Sequence, residues 1–144
     1  MIVFISSPYA GDIEKNTEAA RRYCRYAVEQ GHTPIAPHLL YPQFLDEKSE
    51  AERALGLQMG LQLLNFCDEL WAFAGEEERL SNRSHCSQLS QLSHTSDSSN
   101  LSAGMKAEIA YAEENMIPIR YMSKDACGRG VDNVGNVPNI TQAL

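Results

Sequence analysis

Ile2-Val3-Phe4-Ile5-Ser6 is a run of four apolar residues closed by a hydroxyl, and nothing in it alternates. A strand that is apolar at every position is buried on both faces, the situation of a parallel sheet with helices on either side. Met1 adds a fifth apolar residue but no basic flank, and no small-residue cleavage site follows, so the run reads as a buried strand. Its continuation, Ser7-Pro8-Tyr9-Ala10-Gly11-Asp12, is rich in turn residues and ends on a good N-cap. A helix is expected from about Ile13 to Gln30, because Ala19, Tyr23, Tyr26, Ala27 and Gln30 recur at helical spacing. Gly31 supplies its left-handed stop.

Further along, Thr33 to Ala36 reads as a second short strand closed by Pro37. The segment from His38 to Leu45 is too apolar for an ordinary loop and is expected to line a cavity. Ser49-Glu50-Ala51-Glu52 has the S-x-x-E form of a capping box, which starts a second helix reaching about Phe66. Glu69 to Ala74 is a third strand. Ser102-Ala103-Gly104 opens a third helix to about Asn115, and Ile117 to Tyr121 is a fourth strand. Strand and helix alternate three times over short connections. That pattern predicts an α/β fold, a flavodoxin-like three-layer sandwich with a short parallel sheet in the order 2-1-3-4. Ligands then belong at the carboxyl ends of the strands.

One stretch breaks the alternation. From residue 76 to 101 serine recurs at 81, 84, 87, 90, 93, 96 and 99, continuing to 102. Such low complexity predicts a disordered insertion, with a lid over a ligand as the alternative. After Met122 the chain turns rich in Gly, Asn and Val, and residues 122–144 read as an irregular tail.

The 144 residues suit one domain, 1–144, and the 43% apolar and 22% charged content is that of an ordinary globular chain. No stretch approaches the roughly 20 apolar residues of a membrane span, so no membrane partner is expected. Twelve basic against nineteen acidic residues give a net charge of −7, which would repel a nucleic acid backbone but leaves a single nucleotide open. Cys24, Cys67, Cys86 and Cys127 form no metal-ligand spacing and read as reduced thiols of a cytoplasmic protein.

Four places converge on the carboxyl edge of the sheet. Ser6-Ser7-Pro8-Tyr9 offers two hydroxyls and a phenol, although a hydrogen-bonded turn with a packed tyrosine would read the same way. Pro37-His38 follows strand two, where a histidine is either a loop residue or an acid–base group. Cys67-Asp68-Glu69 precedes strand three, so Asp68 and Glu69 are expected at a junction away from the site. Ser102 and Gly104 stand at a helix N-terminus, where free N–H groups and the helix dipole favour an anion. Glu108 follows roughly two turns in.

Ile2-Val3-Phe4-Ile5-Ser6-Ser7-Pro8-Tyr9, Pro34-Ile35-Ala36-Pro37-His38, Cys67-Asp68-Glu69-Leu70-Trp71 and Ser102-x-Gly104-Met105-x-x-Glu108-Ile109-x-x-Ala112 together resemble the nucleoside 2-deoxyribosyltransferase-like superfamily. The resemblance covers roughly 1–75 and 102–121 and looks closest to its DUF4406-type branch. It implies chemistry at a nucleoside's N-glycosidic bond, with Glu108 attacking C1′. Where the transferases carry Asp-Ser-Gly-Thr, this chain has Ser102-Ala103-Gly104-Met105. The Ser-x-Gly form is more similar to the 5′-monophosphate N-glycosidases, whose matching serine holds the phosphate. One departure stands out: the turn that carries an acid in the catalysts of the family is Met59-Gly60-Leu61 here, and only Asp46 or Glu52 would reach the site from elsewhere.

The resulting expectation is an enzyme that cleaves or transfers the N-glycosidic bond of a (deoxy)nucleoside or its 5′-monophosphate. Glu108 is its nucleophile, Ser102 and Gly104 the anchor for phosphate or ribose, Ser6 and Ser7 hydroxyl donors, Tyr9 a positioning residue and His38 a base contact. Lys106 is the only cation expected nearby, with a place in the helix that could equally point it to solvent. No metal and no cofactor are required. A homodimer is the resemblance's suggestion. The alternatives are a non-catalytic nucleotide-binding or sensing module using the same pocket, and an interaction protein acting through its serine-rich stretch.

Overall fold

In the computed structural model the residues described are 1–74 and 101–124. The serine-rich stretch and the tail beyond Lys124, with Cys86 and Cys127, lie outside them. The elements are β1 (Ile2–Ser6), α1 (Ile13–Glu29), β2 (Thr33–Ile35), α2 (Pro37–Leu40), a 3-10 turn at Tyr41–Gln43, α3 (Glu50–Leu64), β3 (Glu69–Ala74), α4 (Ala103–Glu114) and β4 (Ile119–Ser123). The four strands form one sheet in the expected order β2-β1-β3-β4, and every pair is parallel.

β1 is central because both its faces are apolar. Val3 and Ile5 join Tyr23 and Ala27 of α1 and Trp71 and Phe73 of β3 in one core. Phe4 points the other way and joins Leu64 of α3, Leu70 and Ala72 of β3, and Ile109 and Ala112 of α4. Val3, Phe4 and Ile5 are all 0% exposed, as the unalternating run requires. On the first face Tyr23 stacks flat on Phe73, with ring centroids 3.8 Å apart. These are three layers: α1, sheet, α3 with α4.

Helix ends follow local chemistry. Asp12 caps α1 by accepting from Lys15 N at 3.1 Å. At the other end Gly31 adopts φ +79°, and His32 N reaches back to Ala27 O at 2.9 Å, a left-handed stop. α4 ends by the same device on a residue that is not glycine. Met116 takes φ +56° and Ile117 N donates to Ala112 O at 2.8 Å. This moves the fourth strand from the expected Ile117–Tyr121 to Ile119–Ser123. Ile117 belongs to the helix stop, and Pro118 has no N–H for a ladder and enters the sheet only by accepting from Leu70 N.

One strand end and one cap also differ from expectation. β2 stops at Ile35, since Ala36 becomes the N-cap of a four-residue helix with Pro37 at its start. The apolar segment after it folds as α2 and the 3-10 turn. α3 begins with Ser49 accepting from Glu52 N, but the capping box does not close on itself. Glu52 Oε2 instead accepts from Asp46 N at 2.6 Å, while Asp46 Oδ1 accepts from Lys48 N at 2.9 Å. A rigid turn over 46–49 results. No helix among the described residues is long and apolar enough to cross a membrane.

Candidate active site

Ser6 is the last residue of β1 and shares the face of Phe4, the side covered by α3 and α4. α4 turns Met105, Ile109 and Ala112 into the core. Glu108, three residues after the first and four before the last, lies along that inward side. The two meet: Ser6 Oγ donates to Glu108 Oε2 at 2.5 Å. Ser6 is fully buried and Glu108 partly so. Burial raises the Glu108 carboxyl against the lowering effect of the Ser6 hydrogen bond, and the net result is about 7.

Ser7 points elsewhere. Its Oγ is 3.1 Å from His38 Nε2, and the His38 ring sits 5.9 Å from that of Tyr9. Burial holds the His38 imidazole down to about 4, so the ring is neutral at physiological pH. The loop after β1 is pinned by Asn16 Nδ2, which donates to Tyr9 O at 3.1 Å and Ala10 O at 3.0 Å.

These groups surround a cavity of about 540 Å³ at the carboxyl edge of the sheet, within the range of small-molecule sites. Glu108, Tyr9, His38, Ser102 and Gly104 line it. Ser6 and Ser7 do not; they stand behind it, their hydroxyls spent on Glu108 and His38. Ser102 caps α4 by accepting from Met105 N at 3.3 Å, which leaves its own hydroxyl hydrogen available. The first turn of α4 carries no acidic residue, and a Cβ at Gly104 would meet nothing within 4 Å. Ser102, Ala103 and Gly104 line the cavity at this helix start, where the first N–H groups have no partner within the helix.

Several expectations change at the opposite wall. Lys106 is exposed and does not line the cavity; the cations that do are Lys48 and Arg53. Of the two acids expected to reach in, Glu52 lines the cavity and Asp46 does not, because Asp46 is the hub of the turn before α3. Glu47 and Glu50 join Glu52 on that wall, residues the sequence reading passed over. No local signal marks them, because the S-x-x-E motif does not announce that Glu52 ties back to Asp46. Pro37, Tyr41 and Gly60 form the apolar part. At Gly60 a Cβ would lie 3.4 Å from Pro37, so α3 and α2 meet tightly there and no acid projects. Asp68 and Glu69 are away from the cavity, as expected: Asp68 Oδ2 accepts from Ile2 N, and Glu69 accepts from Trp71 Nε1 and pairs with Arg120. Among the described residues no group of three His, Cys, Asp or Glu is placed to hold a metal ion.

A family model described as a domain of unknown function, DUF7768, matches residues 1–85. The chain belongs to the DUF7768 family. The branch expected from the motifs, DUF4406, is not the one whose model matches. No curated protein gives a significant match to this DUF7768 chain. Among solved structures, a 2-deoxyribosyltransferase from the psychrotolerant bacterium Bacillus psychrosaccharolyticus is similar over 98% of this chain and 79% of that one, with 13% identity and a TM-score of 0.56. A 2-deoxyribosyltransferase from Leishmania mexicana aligns with 85% of this chain at 13% identity and a TM-score of 0.48. The DUF7768 chain spans only 63% of the Leishmania protein. The likeness to the bacterial enzyme is one of fold.

Proposed function

We propose that this protein breaks the N-glycosidic bond of a (deoxy)nucleoside or its 5′-monophosphate, handing the sugar to water or to a second base. The observation that carries the reading is the Ser6–Glu108 pair, a carboxyl group held at 2.5 Å by a buried hydroxyl and facing the cavity. Cleavage develops positive charge at C1′, which a carboxylate first stabilises and then captures as a glycosyl ester. Ser6 fixes the carboxyl so that its free oxygen faces C1′, an orientation that costs nothing at the moment of reaction. Its pKa near 7 leaves it substantially ionised at neutral pH, and partial desolvation makes the anion a better nucleophile.

The rest of the cavity supports the same assignment. Pro37, Tyr41 and Gly60 offer an apolar slot for a base, and Tyr9 and the neutral His38 border it. Ser102 and the first N–H groups of α4 suit a phosphate, and Lys48 and Arg53 offset part of the negative charge of Glu47, Glu50 and Glu52 on the opposite wall. The fold likeness to a 2-deoxyribosyltransferase favours this class of substrate.

The test is release of free base from the four common deoxynucleosides and their 5′-monophosphates. Glu108→Gln should abolish release while changing nucleotide affinity by no more than a few-fold. Undiminished release in that variant removes the mechanism. Binding by the unmodified protein without any release would favour a nucleotide-binding module instead.

A further inference from the structure

A base leaving C1′ carries away the bonding electron pair and needs a proton as it goes. Glu108 cannot supply it, being committed to the sugar. On the opposite wall Ala54, Leu57 and Gly60 have no proton to give, Glu52 has an oxygen spent on Asp46 N, and Glu47 and Glu50 stand on the turn before α3 and at its first residue. His38 is neutral and its Nε2 is tied to Ser7. Lys48 and Arg53 stand exposed on the turn and first helical turn of the opposite wall.

Tyr9 is different. Its backbone is pinned by Asn16, and its ring rests against His38. His38 is bonded to Ser7, the neighbour of the residue that holds Glu108. Nucleophile and phenol are therefore placed by one short stretch, residues 6–9, at the end of a single strand. The Tyr9 hydroxyl makes no hydrogen bond to any described residue, yet the side chain lines the cavity. It is a free donor beside the expected position of the base.

We propose that the Tyr9 hydroxyl is the proton donor to the departing base. This rests on the glycosyl-transfer reading above. As the C1′–N bond breaks, its electron pair passes to the base nitrogen, which takes the phenolic proton, while Glu108 forms the C1′–O bond. The phenolate then takes a proton from the incoming water, or from the N–H of an acceptor base, as that nucleophile displaces Glu108. Tyr9 and Glu108 are both restored. Burial and the nearby Glu47 carboxylate raise the Tyr9 pKa. The phenol is thus protonated at the start of each cycle.

The experiment compares two leaving groups in the full chain. One is a natural deoxynucleoside, whose base needs a proton. The other is 4-nitrophenyl 2-deoxyriboside, whose 4-nitrophenolate leaves as a stable anion. Tyr9→Phe should lower kcat on the nucleoside about 100-fold with KM within a few-fold. Release of nitrophenolate should stay within about 3-fold. The unfolding midpoint should not move, because the hydroxyl has no hydrogen-bond partner among the described residues to lose. Equal losses on both substrates, or no loss on the nucleoside, overturn the proposal. Nitrophenolate release without base release by the unmodified protein also overturns it, since no working donor would then exist. If the unmodified protein releases neither group, the glycosyl-transfer reading fails and takes this one with it. If Glu108→Gln kills both activities while Tyr9→Phe is silent, only the donor assignment falls.

Discussion

A carboxyl group whose folded-state pKa lies near 7 binds a proton that the unfolded chain has already released. For Glu108, raised from 4.5 by burial, the folded state holds the extra proton between about 4.5 and 7. Its contribution to stability is therefore full below 4.5 and is lost as pH climbs through 7, by an amount on the order of 2–3 kcal/mol. His38 works in the opposite direction. Its folded pKa is depressed from 6.5 to about 4, so its contribution is present above 6.5 and lost as pH falls toward 4. Between about 4.5 and 6.5 the two slopes oppose, and the pair together should leave stability nearly level. Above 6.5 only Glu108 acts. Glu108→Gln should accordingly stabilise the protein at pH 8 and do little at pH 5. Urea unfolding at both values measures it, and an equal change at each would mean that the carboxyl is not held protonated by its surroundings. Catalysis needs the ionised form, so base release should rise through pH 7, where stability declines.

Among the elements, α4 carries most of the site. Its N-cap, its open first turn and its inward glutamate are read from one short motif, Ser102-x-Gly104-Met105-x-x-Glu108, because each depends on helical spacing alone. Replacing Ser102 by Ala should cost the helix about 1 kcal/mol. It should also erode a preference for nucleoside 5′-monophosphate over nucleoside by about 1 kcal/mol, since a hydroxyl donor to the phosphate is lost. Calorimetric titration of both ligands against both proteins decides it; equal affinities in the unmodified protein would rule out a phosphate at this helix end. Elements whose signals are local were legible: β1 from its unbroken apolar run, α1 from Asp12 and Gly31, α3 from Ser49. What escaped reading depends on longer reach. The left-handed Met116 has no sequence mark, and it displaces β4 by two residues. Glu47, Glu50 and Arg53 reach the cavity only because Glu52 ties back to Asp46 and not to its own cap.

At the scale of the whole molecule, both cores are built from described residues on either side of the serine-rich stretch. With residues 80–99 replaced by a short Gly-Ser link, the protein should still unfold in one cooperative transition, because loop length changes closure entropy only slowly. Loss of cooperativity would make the stretch part of the folded unit. The position of β1 has a further effect, on the order in which the chain assembles. β1 precedes both its partners, Thr33–Ile35 and Glu69–Ala72, in the chain. At roughly 5–20 residues per second, translation leaves several seconds before both neighbours exist. Throughout that interval Ile2-Val3-Phe4-Ile5 is an unshielded, charge-free strand edge on the ribosome, a template for wrong pairing with other nascent chains. Val3, Phe4 and Ile5, fully enclosed in the finished fold, thus wait for two later strands before both their edges are covered.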